Sequence, residues 1–254
     1  MKIFATYNIK GGVGKTATAV NLGYLAARDG FRVLLWDLDP QGAASFLFRV
    51  KPRVKGGGKA LIQGSRPIDG AIKGTDFENL DLLPADFTYR NLDLLLDAAK
   101  QPARKLASLL RPLKADYDAV FLDCPPSISL LSESVLHAAD LLLVPLIPTT
   151  LSVRTLDQLT EFVGGFNGHR PEVLAFFSMI DRRKRLHTQI ARELPAQRSD
   201  FASAAIPALS LIEQMSVQRA PVTAFAPRSV AALQYVTLWQ EARERAGLAD
   251  PAAD

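Results

Sequence analysis

Near the front of the chain a lysine and a threonine close a glycine-rich run, Asn8-Ile9-Lys10-Gly11-Gly12-Val13-Gly14-Lys15-Thr16. Residues of these types at this spacing suit the capture of phosphate. Glycines let backbone N–H groups close around an anion with no Cβ in the way. The Lys15 amine can reach the outer phosphates of a polyphosphate, and the Thr16 hydroxyl can ligate a divalent metal. The usual Gly-x4-Gly-Lys-Ser/Thr spacing would put its first glycine where Ile9 stands, so the run is a variant, with the extra lysine Lys10 ahead of the glycines. Carboxylates are available to work with it. Asp123 closes an apolar run and can hold the metal, usually through a water. Asp37 and Asp39 are two apart, which puts them on one face of an extended chain, and either could position a water against the terminal phosphate.

The phosphate run needs a strand before it and a helix after it, because unpaired N–H groups and the helix dipole meet at a helix N-terminus. The flanks comply. Ile3–Tyr7 reads as a buried strand, and Ala17–Arg28 repeats apolar residues at helical spacing before Gly30. Further strands are expected at Arg32–Trp36, Leu80–Leu83, Ala119–Leu122, Leu141–Leu146, Val173–Met179 and Ala204–Ile206. Helices are expected at Ala103–Leu113, Ser127–Ala138, Ser152–Phe166, Leu186–Leu194 and Ser229–Ala246. Strand and helix alternate, and the strands are continuous apolar runs. This predicts an α/β fold, a mostly parallel, doubly wound sheet with helices on both faces. No repeat or linker divides the chain, so residues 1–254 are expected to form one domain. Lys55-Gly56-Gly57-Gly58-Lys59 reads as a flexible surface loop, and Ala249–Asp254 as a frayed tail.

The motifs together resemble those of the ParA/MinD superfamily of P-loop NTPases, and of its ParA branch in particular. Lys10–Thr16 resembles the deviant Walker A motif. Asp37-Leu38-Asp39-Pro40-Gln41-Gly42 resembles the first switch segment. Val120-Phe121-Leu122-Asp123-Cys124-Pro125-Pro126-Ser127 resembles the Walker B strand and its turn. The likeness runs over nearly the whole chain and implies a weak ATPase that uses ATP and Mg²⁺. On this resemblance Gly11, Gly12, Val13, Gly14, Lys15, Thr16 and the backbone of Ala17 hold the phosphates. Thr16, Asp39 and Asp123 serve the metal, and Asp39 is favoured for hydrolysis, with Asp37 supporting a metal-bound water or Lys15. Met179, Asp181 and Pro207 match the adenine-binding places. Lys10 matches a lysine that crosses a dimer interface to the partner's nucleotide; the alternative is that it binds its own phosphates. The chain departs from the pattern at Ala17, where a hydroxyl residue is common, and at Ala208, where an arginine often follows Ile-Pro.

The resemblance also implies an ATP-dependent homodimer, non-specific DNA binding and an adaptor or activator protein, the engine of a positioning or segregation system. A basic surface that reads phosphates and no bases would meet the DNA requirement. Arg182, Arg183, Lys184 and Arg185 are the first candidates, with Arg219 and Arg228 beside them. The basic stretch Arg49–Lys59 is the alternative. Formal net charge is +4, which is compatible with nucleic acid but weak on its own.

Composition narrows the remaining classes. With one cysteine, Cys124, the chain can form no internal disulfide and no cysteine-paired cluster site. A reducing compartment, a cytoplasm with nucleoid association, is the expectation. The most apolar run, Leu141–Ile147, is too short to span a bilayer. A MinD-like membrane anchor would be a short basic amphipathic helix at the end; Glu244–Asp254 lacks its apolar basic face, so no membrane partner is expected. A P-loop ligase of the dethiobiotin synthetase type is the other alternative, and the Asp37–Gly42 segment argues against it.

Overall fold

The computed structural model describes residues 1–166 and 168–251. Its strands are β1 (Lys2–Thr6), β2 (Val33–Asp37), β3 (Lys73–Gly74), β4 (Leu80–Leu83), β5 (Ala119–Asp123), β6 (Leu141–Leu146), β7 (Glu172–Ile180) and β8 (Phe201–Pro207). They form one eight-stranded sheet in the order β3-β4-β2-β5-β1-β6-β7-β8. Pairing is parallel except between β3 and β4 at the edge. The parallel pairs agree with the expectation from continuous apolar runs, since a strand covered on both faces has no polar side.

Alternation along each strand divides the core in two. Ile3, Ala5, Leu34, Trp36, Val120 and Leu122 belong to one apolar layer. Their sequence neighbours Phe4, Val33, Leu35, Ala119 and Phe121 belong to the opposite one. The long helices α1 (Lys15–Arg28) and α12 (Val230–Ala246) close the second layer. There Trp239 packs edge-on against Phe4 and Phe31, and its indole N–H donates to Asp29 at 2.8 Å. On the first layer lie α3 (Gly57–Gln63), α4 (Leu92–Asp97), α5 (Lys105–Leu110), α6 (Leu130–Ala138) and α7 (Thr150–Gly164). Shorter helices are α2 (Ala43–Leu47), α9 (Ser210–Glu213), α10 (Met215–Gln218) and α11 (Val222–Phe225), and α8 (Arg185–Glu193) is surface-exposed on most sides.

Several expectations need correction. Lys55–Lys59 is not a free loop: α3 begins inside it, and Gly57 and Gly58 are buried. The glycines are there for close packing. A Cβ on Gly57 would stand 2.5 Å from Thr88 Oγ1, and φ is +63° at that residue; only glycine tolerates both. The helix expected over Ala103–Leu113 is only α5, with 3-10 turns at Pro102–Arg104 and Arg111–Ala115. Pro102 and Pro112 lack the N–H that a continuous helix needs there. α6 starts at Leu130 and not Ser127: Ser129 is its N-cap, with extended backbone at φ −160° and ψ 173°. The helices α2, α4, α9, α10 and α11 are too short for their periodicity to show in a sequence. In the tail, Asp250 is ion-paired with Arg243, so the chain is tethered there; residues 252–254 lie outside the described residues.

Candidate functional site

Strand order creates the site. β1 lies between β5 and β6, and the chain leaves it toward β2 on one side and, later, toward β6 on the other. Ligands of open α/β sheets sit beyond the C-terminal ends of the strands at such a reversal. Register then brings the carboxylates together: Thr6 stands opposite Asp123, and Asp37 stands opposite Asp123 on the other side.

The glycine-rich run forms the loop between β1 and α1. α1 starts at Lys15, earlier than its apolar periodicity suggests, so Lys15 and Thr16 are its first residues and their N–H groups are among its unpaired donors. Gly14 is the N-cap with φ 93°, and a Cβ there would meet Ser178 Oγ at 2.8 Å, so no other residue fits. The loop's entrance is pinned from the sheet. Asn8 Nδ2 donates to Pro145 O at 2.8 Å, and Asn8 Oδ1 accepts from Lys10 N at 2.9 Å.

The two lysines have different surroundings. Lys15 is buried, and its amine donates to Lys10 O at 2.9 Å inside the loop. Burial lowers its pKa, against the opposing pull of Asp123, Cys124 and Asp39. Lys10 is half-buried on the outside of the loop, with its amine 3.4 Å from Ser152 Oγ at the start of α7.

The acids form a compact group. Asp37 accepts from both N and Oγ of Ser45, each at 2.7 Å, and Ser45 Oγ accepts from Ala85 N. Asp123 is fully buried at the end of β5. Burial raises the pKa of both, and the nearby negative charge raises them further: Asp37 acts on Asp123, and Asp39 acts on both. The Ser45 hydrogen bonds hold Asp37 down in part. Thr16 stands within reach of Asp123 and favours its charged form. Among the described residues, Asp37 Oδ1 and Asp123 Oδ2 are buried without a hydrogen-bond partner. Two mutually repelling carboxylates with unpaired oxygens, a threonine hydroxyl and a phosphate loop suit a hard dication with oxygen ligands. Among the described residues no three His, Cys, Asp or Glu side chains converge into an all-protein cage. A cation here would therefore draw part of its shell from phosphate and water, as Mg²⁺ does. Asp39 lies nearer the surface, its Oδ1 accepting from Gln41 N at 2.9 Å.

Beside the loop is a cleft of about 340 Å³. Gly11, Gly12, Gly14, Lys15, Thr16, Ala17, Asp39 and Met179 line it together. Val13 is buried beneath the loop and lines nothing. Of the expected adenine contacts, Asp181 and Pro207 stand outside the lining: Asp181 is engaged by Arg183, and its N–H donates to His187 Nδ1 at 3.2 Å. Ile206, Ile212, Tyr235, Ser178 and Pro126 complete the wall and were not anticipated. Tyr235 reads as a core residue in a helical pattern, and Ser178 as a strand interior; nothing local marks either as facing a ligand. Ser45 is also invisible in the sequence, since it meets Asp37 only after Gly42 turns the chain into α2.

The basic candidates divide. Arg182, Lys184, Arg185 and Arg228 are exposed and, among the described residues, outside any ion pair. Arg183 is also exposed but commits its guanidinium to Asp181, with contacts of 2.9 Å from Nε and Nη2. Arg219 is engaged elsewhere: its Nε donates to Phe46 O at 3.0 Å, and its guanidinium lies over the Phe46 ring at 4.5 Å. It ties α10 to α2, the helix that follows the Asp37–Gly42 segment.

A glycine-rich loop between a strand and a helix at a sheet reversal, with an acid closing the neighbouring strand, is the construction of P-loop nucleotide-binding proteins. Comparison with known proteins gives the narrower class. Residues 1–175 match the family model described as an AAA domain. The sporulation initiation inhibitor protein Soj of Bacillus subtilis is 33% identical over 246 residues, covering 94% of this chain and 97% of that protein. The chromosome partitioning protein ParA of Caulobacter vibrioides is 32% identical over 257 residues, covering 96% of each. The solved structure of a cobyrinic acid a,c-diamide synthase from Mycobacterium smegmatis, with bound ATP analog and magnesium, superposes with a TM-score of 0.78. Its identity is 26%, covering 94% of this chain and 93% of that one. A variant of Cyanothece McdA in complex with ATP shares the fold, with TM-score 0.78, 24% identity and coverage of 100% and 99%. The chain belongs to the ParA family within the ParA/MinD superfamily of P-loop partition and positioning ATPases. Among the described residues no helix is long and apolar enough to cross a membrane.

Proposed function

We propose that this protein is a Mg²⁺-dependent, slow ATPase that dimerises on ATP, binds DNA non-specifically and positions or segregates a cargo under the control of an adaptor protein. The observation that carries this reading is the separation of the two lysines. Lys15 is buried with its amine on the carbonyl of Lys10 inside the loop, while the half-buried Lys10 turns its amine to Ser152 at the start of α7, outside the lining of the cleft. A bound triphosphate leaves negative charge facing outward, and a second subunit's triphosphate would repel it. Lys10 from each side offsets that repulsion with a charge-assisted contact, which makes ATP part of the interface. ADP has less charge to bridge, so the dimer is specific to ATP.

Within one subunit, Thr16 and Asp123 would hold Mg²⁺, with the carboxylates of Asp39 and Asp37 close enough to act on Asp123. Bound there, the metal neutralises charge on the outer phosphates. Lys15 and the N–H groups at the start of α1 orient those phosphates. Asp39 positions the attacking water; its more exposed carboxylate can approach the terminal phosphate, whereas Asp37 is held by Ser45. Met179, with Ile206, Ile212 and Tyr235, forms the apolar side of the cleft and suits a purine ring. Pro207 and Asp181 then act through the segments that carry Ile206 and Met179.

The synthase name carried by one solved relative keeps a ligase of the same fold as the second reading. Likeness to Soj and ParA along nearly the whole chain at higher identity favours the switch. Sedimentation at saturating ATP in an Asp39→Ala background, where turnover is expected to stop, tests the proposal. A two-fold dimer is expected with ATP and a monomer with ADP, and adding Lys10→Ala should return the ATP form to monomer with ATP still bound. A dimer equally strong with alanine at position 10 overturns the bridging role.

A further inference from the structure

A second cavity, larger than the nucleotide cleft, lies apart from it. It has a volume of about 1060 Å³ and opens between α4, α5 and the C-terminal end of α6. It also reaches Met1 and Ile3 at the N-terminal end of β1. The phosphate loop leaves the other end of that strand, roughly 17 Å away at the usual rise per residue. An occupant here would therefore not compete with nucleotide.

Its rim is cationic. Lys100, Arg104, Lys105, Arg111 and Lys114 all line it, and none of them is in an ion pair among the described residues. Asp140 is the one carboxylate in the lining, and its Oδ2 is already taken by Ile3 N at 2.8 Å. Like charges gathered around a concavity raise the local potential and attract an anion. The floor is different: Ile62, Leu95 and Ala107 are apolar. A cationic rim above an apolar floor is complementary to a chain that carries acids on its flanks and aliphatic side chains beneath.

We infer that this cleft docks an acidic, amphipathic segment of a partner protein. Small anions do not need the floor, and the volume lies just above the roughly 300–1,000 Å³ typical of small-molecule sites. Duplex DNA presents a convex phosphate ribbon that meets a rim but cannot reach apolar groups at the bottom of a concavity. An amphipathic helix laid in a groove satisfies both features, with anchors spaced at i, i+3 or i+4 and i+7. The inference stands on this cavity alone and is independent of the nucleotide-switch reading.

The experiment is selection of displayed random peptides on the full-length protein, followed by fluorescence anisotropy with the enriched peptides. Enrichment of Asp and Glu together with aliphatic residues at helical spacing is expected. Affinity for those peptides should fall about tenfold or more in Arg104→Glu/Lys105→Glu/Arg111→Glu, and by a smaller factor when the same residues become Gln. ATP affinity and the circular dichroism spectrum should be unchanged in both variants, which separates loss of docking from loss of fold. No acidic enrichment overturns the inference, as do selected peptides that bind the variants as well as the parent. Loss of duplex DNA binding in the variants with peptide binding intact would also overturn it, and would make this face a nucleic-acid surface.

Discussion

Lys15 is the side chain proposed to grip the outer phosphates of the nucleotide. Burial costs it solvation, which the hydrogen bond from its amine to the carbonyl of Lys10 at 2.9 Å offsets in part. Phosphate oxygens would offer it stronger, charge-assisted partners, each contact worth roughly 1.5–3 kcal/mol. Lys15→Ala is therefore expected to weaken ATP by about 10²-fold or more. Calorimetry that finds parental affinity in this variant removes the phosphate role. Asp37 shows how one residue sets the use of another. Ser45 occupies its Oδ2 through two hydrogen bonds of 2.7 Å, leaving Oδ1 buried without a partner.

At the scale of elements, short segments do most of the positioning. α3 packs on the segment Thr88–Leu92 only because Gly57 and Gly58 lack side chains: a Cβ on Gly58 would stand 2.9 Å from Leu92 Cδ2. Gly57→Ala adds left-handed backbone strain to its clash with Thr88, and a loss of about 1–3 kcal/mol of stability is expected. A thermal midpoint equal to the parent's would mean that the Thr88 contact yields easily. The turn between β7 and α8 carries a pH dependence. His187 is buried, and its Nδ1 accepts from Asp181 N at 3.2 Å, so the ring must be neutral to hold that bond. Burial lowers its pKa below the ordinary 6.5, and Lys184 adds to the effect. The folded chain then binds fewer protons than the unfolded chain in the window below 6.5. Stability from this group is present above that pH and is lost as pH falls through the folded value. Protection of the Asp181 amide from hydrogen exchange should decline as pH falls below 6.5 and through the lowered pKa of the ring. Protection independent of pH would show that the ring does not hold the turn.

At the scale of the molecule, charge is distributed over separate faces, and the face near β7 and α8 is the one proposed for DNA. Arg182, Lys184 and Arg185 project from it unpaired among the described residues, while Arg183 is shared with Asp181. Replacing Arg182, Arg183 and Arg185 by Glu is expected to weaken DNA binding without changing ATP affinity. In the parent, log affinity should fall steeply with log salt, and the slope should shrink by about 0.9 for each phosphate contact removed. Arg183→Ala alone should cost less than Arg182→Ala or Arg185→Ala, because part of its charge is already neutralised. Filter binding or gel shift over a salt series measures this, and a slope unchanged by the triple replacement moves the contact to Arg228 or the Arg49–Lys59 stretch.

What was legible in the sequence was local. The glycine run between a strand pattern and a helix pattern, the acid closing an apolar run, and the alternation that implies a parallel sheet all rest on chemistry within a few residues. Three-dimensional placement decided the rest. Register between β2, β5 and β1 brought Asp37, Asp123 and Thr6 to one level. The turn at Gly42 delivered Ser45 to Asp37. Packing of α12 put Tyr235 in the cleft wall, and packing of α10 set Arg219 over Phe46. The flexible reading of Lys55–Lys59 failed for the same reason. Glycine signals backbone freedom along a chain, but whether that freedom serves a mobile loop or a tight approach depends on what lies opposite. Here that was Thr88 and Leu92, some thirty residues on, which only tertiary contact could bring there.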